Sequence, residues 1–195
     1  MHRIACMCSD AAVAALILAP CFLYLHKRVF HSRARTLGCF LFAVYLSGMF
    51  AVVGLPDIRY VRFSANINLE PFLYMFSDYE NSLLNVLLFG PLGCFLPMFW
   101  KKFKPFYWTV LFGFGVSLLI EVLQIFTYRA TDVNDLMTNT LGTLLGWCLG
   151  RLLLAVCPKI LPGENTKELP IVCGTTFAVM FFLHPFVADG IGMLF

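Results

Sequence analysis

Charge is scarce in this chain. Of its 195 residues only 13% are Asp, Glu, Lys or Arg, against about 25% in a soluble globular domain. That shortage excludes an ordinary water-exposed surface. Excess charge of one sign is also small: the formal net charge is +3, and the basic residues stand in short clusters instead of one stripe. No nucleic-acid interface is expected from such a pattern. Histidine is sparse as well, so Cys6 and Cys8 lack the partners for a zinc site. Ser117 and the scattered His2, His26, His31 and His184 are not spaced as a nucleophile, a base and an orienting group.

What fills the space is apolar. Hydrophobic residues make up 60% of the chain before glycine is counted. They gather in runs near the ~20 residues that cross a ~30 Å hydrocarbon core. These are Ala11 to Leu25, Leu37 to Leu55, Leu83 to Trp100, Phe106 to Phe126, Leu136 to Leu154 and Leu169 to Val187. The pattern predicts an all-α integral membrane protein, a single transmembrane domain over residues 1–195 with five or six helices. The last run is the least regular, because His184 and Pro185 lie near its end. No room is left for a soluble catalytic domain. The first run is read as a helix and not a signal peptide: Arg3 is a thin basic region and no A-x-A site follows. Leu18-Ala19-Pro20-Cys21 resembles a lipoprotein cleavage site only weakly, with proline beside the cysteine. Cys21, Cys39, Cys94, Cys148 and Cys173 lie in or beside apolar runs, where cysteine acts as a small hydrophobe.

Orientation follows from the basic residues, which collect in short cytoplasmic loops. Lys27, Arg28, Arg33 and Arg35 follow the first span, Lys101, Lys102 and Lys104 the third, and Arg151, Lys159 and Lys167 the fifth. Arg3, Arg59, Arg62 and Arg129 fall on the opposite side. Both termini and the loop from Asp57 to Ser82 are therefore expected to face outward, with the C-terminus inside instead if the spans number five.

With that orientation, the polar residues converge. Asn85 opens the third span, Glu121 and Gln124 end the fourth, Arg129, Asp132 and Asp135 form the external turn, and Asn139 enters the fifth. Glu121 lies about 8 Å inside the end of its run at 1.5 Å per residue. A lone carboxylate at that depth is costly, and such groups face the bundle interior and pair. Glu121 and Gln124 are three apart, as are Asp132 and Asp135, and Asn139 is four beyond, so each set shares one helix face. Arg129 is placed to bridge carboxylates of both sets through bidentate hydrogen bonds. Gly142, Gly146 and Gly150 repeat every four residues, a packing seam for another helix, whether of this chain or of a second copy in a homo-oligomer. Gly90, Pro91, Gly93 and Pro97 interrupt the third span and predict a kinked helix.

These residues resemble the VanZ family of bacterial membrane proteins, named for a teicoplanin-resistance protein. The likeness is carried by Asn68-Leu69-Glu70-Pro71-Phe72, by Asn85-Val86-Leu87-Leu88-Phe89-Gly90-Pro91-Leu92-Gly93, and by Glu121-Val122-Leu123-Gln124. It continues through Arg129, Asp132 and Asp135-Leu136-Met137-Thr138-Asn139-Thr140-Leu141-Gly142, with Gly146 beyond. Its core runs from Asn66 to Leu154, leaving the first two spans outside. The resemblance implies a place in the bacterial cell envelope and a link to lowered teicoplanin susceptibility, with no established reaction.

Several readings of the cluster stand side by side. In the first, an outward polar cavity of the third, fourth and fifth helices, under the loop from Asn66 to Ser82, binds or shields an amphipathic envelope ligand. That ligand would be a lipid-linked cell-wall precursor or a lipoglycopeptide. Arg129 faces its anionic groups, Asn68, Asn85, Gln124 and Asn139 add hydrogen bonds, and Phe72, Tyr74, Phe76 and Tyr79 pack on its apolar part. The aromatics are equally explained as membrane anchors. In the second, Glu121, Asp132 and Asp135 are catalytic, either holding a divalent cation against a lipid phosphate or supplying Glu121 as an acid or base. In the third, the charges are a structural ion-pair network between the fourth and fifth helices. A transporter is the remaining class, and only one interrupted helix supports it.

Overall fold

Inside hydrocarbon, a backbone must satisfy its own N–H and C=O groups, which makes the helix the default for apolar runs of this length. The computed structural model describes residues 2–59, 61–63, 66–72, 79–127, 130–156 and 163–192, with side chains between residues 10 and 190 of those ranges. It is 80% helical. Among the described residues, six segments are long and apolar enough to cross a membrane: Asp10–Phe30, Arg33–Val53, Tyr79–Phe99, Phe106–Gln124, Val133–Val156 and Glu168–Gly190. The chain is an all-α, multi-pass membrane protein.

Helix α1 (His2–Leu25) runs on through a π-helical turn, His26–Phe30, and stops where His31 takes a left-handed conformation at φ 54°. The helix thus outlasts its apolar run, since charged Lys27 and Arg28 can stay helical while reaching water. Helices α2 (Arg33–Val53), α3 (Tyr79–Phe99), α4 (Phe106–Gln124) and α5 (Val133–Val156) follow. The final span consists of α6 (Glu168–Ala178), a π-helical turn at Val179–Leu183 and α7 (His184–Gly192). The chain divides into two compact units, Met1–Arg62 with Lys167–Phe195, and Phe63–Thr166.

In the first unit Phe22 is buried between Phe30, stacked at 5.9 Å, and Phe40, edge-on at 5.6 Å. Arg35 donates to Glu168 Oε2 at 2.8 Å from Nε and 2.5 Å from Nη2, joining α2 to the start of α6. Glu168 is buried, and such a carboxylate is tolerated because the guanidinium pairs with it through two hydrogen bonds. Pro185 has no N–H to give to the carbonyl four residues back, Phe181. Ile58 N–H donates to that carbonyl instead, at 3.3 Å. The irregular last span therefore holds as one membrane-length helix.

The second unit is built on the seam between α3 and α5. A Cβ at Gly142 would strike the carbonyl of Val86, one at Gly146 that of Gly90, and one at Gly150 that of Cys94. The two backbones approach so closely that only glycine fits, the small-residue packing used where helices associate in lipid. The glycine stripe is thus occupied by α3 of the same chain. A Cβ at Gly93 would in turn strike the Thr143 carbonyl. α3 remains helical through Pro91 and Pro97, so the prolines do not end it. At the far end of this unit Trp147 Nε1 donates to Lys104 O at 3.0 Å, and Thr109 Oγ1 donates to Phe103 O at 2.8 Å. Lys101 bonds Glu164 at 2.6 Å, and this hydrogen bond, with the ammonium charge, holds the Glu164 carboxyl below its ordinary range. The opposite end carries a two-residue parallel pairing, β1 (Ile67–Asn68) with β2 (Thr131–Asp132), in register Ile67 to Thr131 and Asn68 to Asp132.

Candidate functional site

The polar cluster gathers where β1 and β2 meet the ends of α3, α4 and α5. Its first anchor is a helix cap. Asp132 immediately precedes α5, and its Oδ1 accepts from the Asn134 backbone N–H at 2.8 Å. An aspartate there satisfies an otherwise orphaned donor of the first turn and complements the positive end of the helix. The other oxygen of Asp132 accepts from Asn68 Nδ2 at 3.2 Å, so the side chains tie together the strands that the backbone pairs.

Glu121 occupies the last turn of α4 and is 4% exposed. Its Oε2 accepts from the Asp132 backbone N–H at 2.9 Å, and its carbonyl accepts from Thr131 Oγ1 at 3.0 Å. This buried carboxylate therefore holds the turn between α4 and α5 from within. Asp135 accepts from Asn85 Nδ2 through Oδ1 at 2.8 Å, linking α5 to α3. One turn deeper, Asn139 is 3% exposed and donates to Ser117 Oγ at 2.9 Å, linking α5 to α4. Gln124 is buried at the end of α4. Arg129, Tyr74 and Phe76, expected at the site from sequence, lie outside the described residues.

The two stripes, Glu121 with Gln124 and Asp132 with Asp135 and Asn139, lie at the end of α4 and around the start of α5. Each carboxylate is engaged by a backbone or side-chain amide. Among the described residues no three His, Cys, Asp or Glu side chains gather as a metal-binding group. Glu121 turns to the Asp132 N–H while Asp135 turns toward α3.

Asn134, which the sequence reading passed over, joins the loop to the helices. Its Oδ1 accepts from the Phe72 N–H at 2.7 Å, and its Nδ2 donates to Asp132 Oδ1 at 2.9 Å and to Glu70 O at 3.3 Å. Asn68 Oδ1 accepts from the Glu70 N–H at 3.1 Å, closing a short Asx turn in the same segment. Phe72 is left with φ at 65°, a region that bulky residues rarely enter, and the residue is 59% exposed. The available signal for Asn134 was the Asp-Val-Asn order ahead of an apolar run, which marks a helix start. Its grip on a segment 62 residues earlier has no local signature. Ser117 is the partner of Asn139.

Comparison with known proteins matches the VanZ/LLP1 family model over residues 40–154, more than half of the chain. Protein VanZ of Enterococcus faecium is 37% identical over 84 residues, which is 42% of this chain and 50% of that protein. The chain thus spans about half the length of the curated relative it matches. No solved structure matches. The family match reaches back into α2, so the second span, left outside the resemblance, belongs largely within the matched region. With most of α2, all of α3 and α4, nearly all of α5 and every described residue of the polar cluster from Asn68 to Asn139 inside the matched region, the chain belongs to the VanZ/LLP1 family.

Proposed function

We propose that this membrane protein works at the outer face of the bacterial envelope, where the polar cluster and the segment above it bind or shield an amphipathic ligand and so lower susceptibility to a lipoglycopeptide such as teicoplanin. The observation that carries the reading is Phe72. An exposed aromatic ring on a left-handed backbone is an unfavourable arrangement, and here it is held by the Asn134 amide, directly beside the Asp132 cap. Strain of this kind is maintained when the surroundings over-determine it, and it concentrates at binding sites. The ring would pack on the lipophilic part of the ligand, Arg129 would meet its anionic groups, and Asn68, Asn85 and Asp135 would present the polar floor. A lipid-linked wall precursor carries the same combination of apolar tail and charged head.

The test is the teicoplanin and vancomycin susceptibility of a sensitive Gram-positive host that expresses wild type, Phe72→Ala or Asp135→Asn at matched membrane abundance. Asp135→Asn keeps an oxygen for Asn85 to bond, so it removes charge without opening the α3–α5 contact. Wild type is expected to raise resistance to teicoplanin selectively, and both variants to lose that gain. A wild type that shifts neither drug, or variants that retain the full shift, overturn the reading.

A further inference from the structure

The first unit holds a second feature that the polar cluster does not use. A cleft of about 540 Å³ opens between α1 and α2, lined by Ala19, Phe22, Leu23, Phe40, His26 and Arg33, with Thr36 and Leu37 beside them. Its size is within the roughly 300–1,000 Å³ range of ligand sites. Its two ends differ in chemistry. Phe22 and Phe40 form an aromatic floor, and Leu23 and Leu37 flank it with most of their surfaces exposed. The other end is polar and basic: His26 Nδ1 and Thr36 Oγ1 are 2.8 Å apart, and Arg33 is exposed at the rim.

The irregular backbone here gives that end its shape. The π-helical turn His26–Phe30 carries Lys27 and Arg28, both exposed, and it closes on left-handed His31, whose N–H bonds His26 O at 2.9 Å. Single-turn π segments in α-helices occur frequently at functional sites. Thr36 Oγ1 donates its one proton to Ser32 O at 2.9 Å. The bond between Thr36 and His26 therefore takes its proton from His26 Nδ1, which fixes the imidazole at the rim. Arg35, the remaining basic residue of this loop, is engaged by Glu168.

We propose that this cleft binds an anionic phospholipid, with one acyl chain along Phe22, Leu23, Leu37 and Phe40 and the phosphate on Arg33, beside the His26–Thr36 pair. Charge complementarity selects this occupant. Arg33, exposed, stands at the mouth of an apolar slot beside the His26–Thr36 pair, at the end that the distribution of basic residues assigns to the cytoplasm, and basic pockets between membrane helices on that side bind anionic head groups. A zwitterionic lipid would fill the slot equally well but would not gain the net attraction.

Native mass spectrometry of the full chain in detergent, with equal amounts of dioleoyl phosphatidylglycerol and dioleoyl phosphatidylcholine, tests the assignment. Wild type is expected to retain phosphatidylglycerol in preference. Arg33→Gln should cut that preference about five-fold, the fold-change one basic residue is worth at an anionic surface, whereas Lys101→Gln, in the basic loop of the second unit, should leave it intact. Leu37→Trp, which fills the slot from an exposed position, should remove both lipids while the helical circular dichroism is unchanged. The proposal is overturned by equal retention of the two lipids in wild type, by a preference that survives both Arg33→Gln and Leu37→Trp, by displacement with soluble glycerol phosphate, or by a dimer that Leu37→Trp dissociates.

Discussion

Asn134 does two jobs that no carboxylate in the cluster could do alone, because an amide donates and accepts at once. Its oxygen satisfies the Phe72 N–H and its nitrogen reaches Asp132 and Glu70. Asn134→Ala should lower stability by about 1–3 kcal/mol, the cost of leaving partly buried groups unsatisfied. Thermal unfolding in detergent, paired with limited proteolysis, reads the change, and cleavage between Asn68 and Phe72 should rise. An unchanged melting temperature and an unchanged cleavage pattern would mean that the segment is held by something else. Glu121, Asp132, Asp135 and Asn139 were legible as a group in the sequence because polar residues inside apolar runs are conspicuous. Their partners were not legible. The carboxylate of Glu121 meets a backbone N–H, and a backbone group has no letter of its own.

At the scale of the element, the seam between α3 and α5 makes an asymmetric demand on its glycines. A Cβ at Gly146 would overlap the Gly90 carbonyl, whereas a Cβ at Gly90 meets nothing within 4 Å. Gly146→Ala is therefore expected to destabilise by about 1–3 kcal/mol through overpacking. Gly90→Ala should be neutral or stabilising by up to about 1 kcal/mol, from helix propensity. Melting of the two variants in the same detergent decides the matter, and equal effects would contradict the close approach. Helix existence was readable from run length throughout. Helix ends were not, because α1 continues through Lys27 and Arg28 and the last span absorbs Pro185 with a π-helical turn and a bond from Ile58 to Phe181. The Arg35 to Glu168 pair joins residues 133 apart in the chain, beyond the reach of any spacing rule.

For the whole molecule, the consequence that matters is sidedness. The proposed function requires the Asn68–Phe72 segment to face outward and the Lys101–Lys104 loop, by its basic residues, to face the cytoplasm. In a chain whose native cysteines are replaced, Glu70→Cys should react with an impermeant maleimide on intact cells, and Lys102→Cys only after permeabilisation. The reverse labelling would invert the protein and remove the outer-face function argued above. The family match over residues 40–154 includes α2, which carries none of the cluster's polar side chains.

The sequence by itself determined the solvent, the class and the location of the unusual chemistry. Hydrophobic runs of bilayer length can satisfy their backbones only as helices, and polar residues within them are expensive enough to mark a site. Only the tertiary structure decided which groups meet: that glycines of α5 receive carbonyls of α3, that Asn134 holds Phe72, and that the carboxylates of Glu121 and Asp135 accept from the Asp132 N–H and the Asn85 amide. The physical reason is directional. Transfer energy depends on composition and is additive along the chain, whereas a hydrogen bond or a helix seam depends on angles and distances that exist only once distant segments have packed.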